Sequence, residues 1–270
     1  MSIFINSKHF FYSYLNKAHR HLHIVWYRTY AQLKSESRQN YLGFIWFLAE
    51  PLLMTTILYF VFGVLLNKKG ADFVLFILIG ITIWQWFEAG ITEGMLGIKA
   101  KLHIMNQIAL PKYIFPWVHI LTVSIKFLFV FFVILLFSWV AGYKVTLSYL
   151  GLIPLMITQL LLISGIATTL AIFVTYYGDL TKVVAVCMRL LFYLSGIFFS
   201  ASIVPQDLRF YFDLNPITRL MEGYRGILIE GAFPTADSIL YVMIIAVLSN
   251  VLGLGVCAYF DKKLLKAVTA

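Results

Sequence analysis

Five ionisable residues stand inside long apolar runs of the chain: Glu50, Glu88, Glu93, Lys126 and Arg189. A charged side chain near the centre of a membrane helix costs about 2.5–3.5 kcal/mol on insertion scales, so each must find a partner or reach water. With about 1.5 Å of rise per residue, Glu50 and Glu93 fall about 7 Å inside one edge of their runs and Arg189 about 10 Å. Glu88 and Lys126 lie deeper, at about 15 and 20 Å. Matching depths pairs Lys126 with Glu88 and sets Arg189 against Glu50 or Glu93. Pro51 follows Glu50 at the mouth of the first run. Near a helix start a proline removes few intrahelical donors, and a carboxylate there meets the positive end of the helix. The two residues read either as a polar inlet or as one half of a structural ion pair with Arg189.

Other chemistry is missing. There is no GxxxxGKS/T phosphate loop, so ATP hydrolysis by that route is not expected, and no HExxH zinc motif. His19 and His23 have the i,i+4 spacing a metal could use, with His21 between them. No carboxylate or thiol lies close by in sequence, which favours interfacial histidines over a metal site. Cys187 and Cys257 both sit in apolar runs and read as packing residues. The Gly90–Gly94 GxxxG pattern is a helix-packing signal. No nucleophile–base pairing stands out. The residues describe a conduit rather than an enzyme, with no metal and no cofactor held by this chain.

The elements that must position these charges are membrane helices. The chain has 270 residues, 61% hydrophobic and 12% charged, about half the charged share of an ordinary soluble domain. Runs long enough to cross about 30 Å of hydrocarbon fall near 45–66, 73–97, 113–142, 146–177, 183–201 and 238–260. The expectation is therefore an all-α membrane protein of six transmembrane helices in a single domain, 1–270. Pro116 and Pro154 lie near run starts, where proline is tolerated. Six crossings put both termini on one side. Fourteen Lys and Arg fall on that side and six on the other, which makes it the cytoplasm. The net charge of +9 is thus explained by cytoplasmic loops facing anionic lipid, and no nucleic-acid partner is needed.

Three segments are not spans. Residues 15–38 form an interfacial amphipathic helix, with Leu15, Ala18, Leu22, Val25, Trp26, Thr29 and Leu33 on one stripe. Lys17, Arg20, His21, Arg28 and Gln32 take the other face. A short basic loop covers 98–111. The opposite side carries "SASIVPQDLRFYFDLNPITRLMEGYRGILIEGAFP", residues 200–234. In it, Asn215 and Pro216 supply an N-cap and an N1 proline, and Gly231 suits the helix end. Ile217, Leu220, Met221, Tyr224, Ile227 and Leu228 make one stripe, with Arg219, Glu222 and Arg225 largely off it. A shorter helix is expected from about Pro205 to Phe212. The pair, 203–231, is too short to span and is read as re-entrant helices closing an outer gate, held by Glu222 and Arg225.

Several stretches resemble the permease subunits of type-2 ABC exporters, particularly those that move bacterial O-antigen, capsule or teichoic-acid polymers on lipid carriers. They are "LGFIW…EP" (Leu42, Gly43, Trp46, Pro51), "WQWF" at 84–87, "LPKYIFP" at 110–116 and "LNPITRLMEGYRGILIEG" at 214–231. One departure stands out: Glu36 and Ser37 occupy the place of a basic–aromatic pair common ahead of "LG". The resemblance implies a homodimer in the bacterial inner membrane, powered by two copies of a separate ATPase that binds ATP and magnesium. It also implies that 98–111 is the coupling helix, with Lys99, Lys101, His103, Met105 and Asn106 meeting that ATPase. Its cargo would be a lipid-linked polysaccharide; a drug or small lipid is the alternative, and an ATP-independent channel a further one.

Aromatics make up 17% of the chain. An interfacial belt accounts for Trp46, Trp84, Trp86 and Trp117. It does not account for Tyr59, Phe60 and Phe62, or for Phe192, Tyr193, Phe198 and Phe199, well inside their runs. Aromatic faces suit the C–H faces of sugar rings, so these residues, with Trp84 and Phe87, are candidates to line a substrate channel; packing between spans is the equal alternative.

Overall fold

The computed structural model describes residues 2–39, 43–67, 72–101, 110–200 and 203–268, with side chains described from 19 to 38 and then up to residue 260, outside 39–45 and the gaps. The described chain is helical, with no strand among the described residues. Helix α1 is Ser2–Gln39. Helix α2, Gly43–Leu58, continues as a π-helical segment, Tyr59–Leu65. Helix α3 is Phe73–Leu96, α4 is Ile114–Val140, and α5 is Leu152–Tyr176 after a 3-10 turn. Helix α6 is Leu180–Leu194, α7 is Gln206–Asp213, α8 is Pro216–Arg225 with a π turn to Glu230, and α9 is Ala236–Val268.

Five of these are long and apolar enough to cross a membrane: Trp46–Leu65, Phe73–Leu96, Ile114–Val140, Leu147–Tyr176 and Ala236–Phe260. The sixth run, expected over 183–201, is different. Its helix has 15 residues, about 22 Å against the ~30 Å of hydrocarbon. It stops at Ser195, ahead of Gly196 with φ +69°. A positive φ of this kind is open to glycine at no steric cost and ends the helix.

Helix α3 is the axis of the bundle, with 72% of its apolar window buried, against α4 on one side and α5 on the other. The Gly90–Gly94 pattern makes that approach possible. A Cβ on Gly90 would meet Ile163 at 2.6 Å, and one on Gly94 would meet Ala167 at 2.9 Å and Ile120 at 3.1 Å. Polar stitches reinforce it: Gln159 donates to the Ile83 carbonyl (3.0 Å), and the Trp86 indole to Ser124 (3.0 Å). Helix α9 runs beside α5 just as closely. A Cβ on Gly165 would meet the Ser249 hydroxyl at 2.2 Å and the Asn250 nitrogen at 2.6 Å. Asn250 in turn donates to the Leu161 carbonyl at 2.6 Å. Small residues draw backbones together where neither lipid nor water drives association.

The helix ends sort into two. At one end, here called distal, Tyr143 donates to Asp72 and Gly151 lies against Pro234. Burial and then the Asp72 carboxylate push the Tyr143 phenol up to about 12. At the opposite, proximal end, Lys99 approaches Gly178, and Tyr176 packs on Phe260. Cys187 is exposed on α6 and Cys257 is buried beside Ile98 and Ile172, so the two do not pair.

The described part of α1 docks on α4 through a mixed face, apolar and polar. His21 hydrogen-bonds the Tyr113 hydroxyl (2.8 Å), Arg28 lies over Phe115, and Gln32 meets His119 (3.2 Å). Val25 and Thr29 are buried between them. Leu22, Trp26, Tyr27 and Tyr30 are exposed. The expected separation into two faces is thus not kept: Val25 and Thr29 of the apolar stripe and His21, Arg28 and Gln32 of the polar one share the contact, because the start of α4 offers polar partners.

Candidate functional site

Four of the five intramembrane charges meet around one cavity of about 300 Å³ between α2, α3 and α4: Glu50, Glu88, Glu93 and Lys126. Each arrives by helical spacing. Glu88 and Glu93 are on α3, with Gln85 and Thr92 on the same side, Lys126 is on α4, and Glu50 is on α2. Aromatic walls come from Phe47, Trp86 and Phe127, the last two stacked at 4.0 Å.

Lys126 does not pair with Glu88. Its ammonium lies 2.6 Å from the carboxylate of Glu36 on α1 and 4.3 Å above the Phe47 ring. Glu88 accepts instead from its own helix neighbour, the Trp84 indole, at 2.7 Å. Depth matching failed because it considered only charges within spans. The docking of α1 on α4 brings Glu36 sideways to the buried lysine, with Gln32 holding it at 3.1 Å. The one signal in the sequence was Glu36 itself, an acid where the resemblance leads one to expect a base. Arg189 is exposed on α6 and forms no ion pair among the described residues, so its expected contact with Glu50 or Glu93 is not made. Pro51 lies deeper than expected: with α2 beginning at Gly43, it stands in the third turn and costs one rung of the ladder.

The channel candidates divide. Trp84 and Phe87 are 2% and 3% exposed and belong to the packed core, as does Trp86, which removes Trp84 and Trp86 from any interfacial belt. The others form a surface run. Phe62 stacks on Phe198 (5.0 Å, 14°), Phe198 touches Phe192 and Phe199, and Phe199 continues to Phe212 on α7. Tyr59, Phe60 and Tyr193 are exposed beside it. Phe212 is the member the sequence reading left out; it joins because α7 folds back over the end of α6.

At the distal end the local reading holds closely. Asn215 caps α8 by accepting from the Ile217 amide (3.0 Å), Pro216 takes the first helical position, and Gly231 ends the segment at φ +68°. The stripe Ile217, Leu220, Met221, Tyr224, Ile227 and Leu228 is buried throughout. Asn215 also donates to Ser195, tying the cap to the end of α6 (2.9 Å). Arg225 is the correction. It lies inward rather than off the stripe, buried, and forms no salt bridge with Glu222. Its guanidinium donates to the carbonyls of Gly196 (2.8 Å), Ile197 (2.7 Å) and Phe76 (3.2 Å) and lies 3.4 Å from the Phe76 ring centre. Burial brings it down to about 9, so it stays charged at neutral pH. The planar fork of arginine suits three backbone acceptors at once. Two of those acceptors, Gly196 and Ile197, are free because α6 breaks there and leaves carbonyls without helical partners. Glu222 is partly covered; burial and then Asp213 raise its carboxyl above the ordinary range.

At the proximal end Lys99 and Lys101 form an exposed 3-10 turn, whereas Lys112 is buried. His103, Met105 and Asn106 lie outside the described residues. Among the described residues no group of ligating side chains could hold a metal.

Five helices long and apolar enough to cross a membrane, with a charged cavity among three of them, define a multi-pass membrane protein. The chain matches the ABC-2 type transporter family over residues 23–229 and belongs to it. It is 25% identical over 235 residues to the O-antigen export system permease protein RfbA of Klebsiella pneumoniae, covering 87% of this chain and 89% of that one. The polysialic acid transport protein KpsM of Escherichia coli is 22% identical over 79% of this chain and 84% of its own. The capsule polysaccharide export inner-membrane protein CtrC of Neisseria meningitidis is 22% identical over 83% and 86%.

Proposed function

We propose that this chain is the channel-forming subunit of an ATP-driven exporter that carries a lipid-linked polysaccharide across the bacterial inner membrane. The observation that carries the reading is the continuous aromatic run from Phe192 through Phe198 and Phe199 to Phe212, in a chain whose relatives export O-antigen and capsule. Stacked rings give a sugar chain a surface to slide along without fixed hydrogen bonds. Two copies form the channel. The apolar windows of Trp46–Leu65 and Ala236–Phe260 are each only 17% buried, which leaves faces for lipid or a second copy. Helix α6 with the turn after it completes a sixth crossing, the distal end is outer, and both termini are cytoplasmic. Residues 98–111 of each copy dock one of the two ATPase subunits. Helices α7 and α8 dip into the outer leaflet and close the exit, with Arg225 as the clasp.

The test is deletion and complementation in the native strain. Loss of surface polysaccharide, with lipid-linked polymer accumulating inside and rescue by the wild-type chain, is expected. An unchanged surface glycan, with a drug or small lipid retained instead, would refute the cargo. Tyr59→Ala with Phe62→Ala is expected to abolish export while assembly stays normal. Charge reversal at Lys99 and Lys101 is expected to detach the ATPase from an intact permease.

A further inference from the structure

Two adjoining cavities occupy the distal end, of about 210 and about 290 Å³, and both are bordered by Glu222 and Glu230. The smaller has an aromatic floor of Phe76, Phe199 and Phe212. Thr218 lines it too; the residue is 1% exposed and its hydroxyl has no hydrogen-bond partner. A buried hydroxyl left unpaired destabilises a fold, and a ligand hydroxyl arriving there would remove that cost. Arg225 borders the same cavity, with four of its five N–H donors committed to the carbonyls of Gly196, Ile197 and Phe76. Ser195 is likewise occupied, donating to Leu191 and accepting from Asn215. What the walls offer is therefore mainly acceptors: two carboxylates in no ion pair among the described residues and the Thr218 hydroxyl beside three rings, with Ser200 and one Arg225 N–H also lining the cavity.

That combination selects a ligand. Carboxylates accept from pairs of hydroxyls, rings cover a C–H face, and a few placed polar groups in an apolar hollow fix orientation. A group bearing its own carboxylate or phosphate would meet two carboxylates, Glu222 and Glu230, against the single and largely committed guanidinium of Arg225, so its charge is opposed on balance. We infer that the cavity floored by Phe76, Phe199 and Phe212 is a subsite for a neutral sugar unit with adjacent hydroxyls, and that acidic sugars are rejected there. The inference rests on the export reading and narrows its cargo to a glycan whose units are neutral. The second cavity, across the same two carboxylates, gives room for the neighbouring unit.

The experiment uses the full-length protein in lipid nanodiscs and saturation-transfer NMR, with mannotriose and galactotriose as neutral probes and α2,8-linked trisialic acid as the acidic one. Neutral probes are expected to bind and trisialic acid is not. Thr218→Val is expected to weaken neutral binding about tenfold, and Glu222→Gln with Glu230→Gln to abolish it. Without sugar, Thr218→Val should melt no lower than wild type, since a methyl replaces an unpaired hydroxyl of the same shape. The subsite is refuted if trisialic acid binds as well as the neutral probes, if neither neutral probe binds wild type, or if both variants bind like wild type. In that event a complemented deletion strain that still displays its polymer leaves the export reading standing. Neutral binding in a protein whose deletion leaves the surface glycan intact refutes the export reading and keeps the subsite.

Discussion

Glu36 and Lys126 share one ion pair, yet the cost of losing each should differ. The lysine side chain is 8% exposed and the glutamate 32%, with nitrogen and oxygen 2.6 Å apart. Breaking a buried pair by removing one partner costs about 3–5 kcal/mol, and an exposed pair is worth about 0–1 kcal/mol. With one partner a third exposed, Glu36→Gln should fall between, at about 2–3 kcal/mol, because it removes the one ion-pair partner of the ammonium among the described residues and leaves it the Phe47 ring 4.3 Å away and the field of Glu93 across the cavity. Lys126→Met removes the buried charge and keeps the stem. It leaves a glutamate that can turn to water and still accept from Gln32, so its cost should stay within about 1 kcal/mol. At about 2–4 °C per kcal/mol for a chain of roughly this size, Glu36→Gln should lower Tm by about 4–12 °C and Lys126→Met by less than about 4 °C. The double variant should melt close to Lys126→Met. Thermal unfolding of the purified protein in detergent, followed by tryptophan fluorescence, measures all three. Equal losses from the two single variants, or a double variant worse than Glu36→Gln alone, would refute the pairing and the docking of α1 that creates it.

The Arg225 clasp makes a paired prediction. Arg225→Leu should cost about 2–4 kcal/mol by orphaning buried carbonyls, and Arg225→Lys should not restore it, because an ammonium lacks the planar fork. Gly80→Ala should imitate that loss from the other side, since its Cβ would stand 2.5 Å from the Arg225 guanidinium and 3.0 Å from the Ile197 carbonyl. Hydrogen exchange over 195–200 reads both. Gly165→Ala should cost about 1–3 kcal/mol by forcing α5 from α9, whereas Gly255→Ala, with nothing within 4 Å, should be silent by Tm. Glu222 supplies a pH dependence. Its folded pKa is raised, so its contribution is full below the unfolded value and is lost as pH rises through the folded one. Glu222→Gln should therefore gain stability over wild type at pH 7 and lose that advantage near pH 4. A difference that is the same at both values would count against the burial of this carboxyl.

The sequence alone determined the class and most of the secondary structure. Hydrocarbon length sets a minimum for an apolar run, and the five long helices fall within a few residues of the runs expected for them. The distal helix α8 was legible to the residue, because capping and the 3.6-residue stripe are local properties: Asn215, Pro216 and Gly231 act within a turn of where they stand. The gathering of Glu50, Glu88, Glu93 and Lys126 around one cavity was not expected: depth had set Glu50 or Glu93 with Arg189 and had paired Lys126 with Glu88 alone. What depth could not give was azimuth. Which face each helix presents to its neighbours depends on where small residues allow approach and where polar groups find partners. Only the folded chain therefore showed Glu36 reaching Lys126, Trp84 and Phe87 turned into the core, and Arg225 turned inward to the carbonyls left by the break in α6. That break was hidden for a related reason. Hydropathy continues past Ser195, and Gly196 ends the helix through a backbone angle that tertiary contacts with α7 and α8 hold in place.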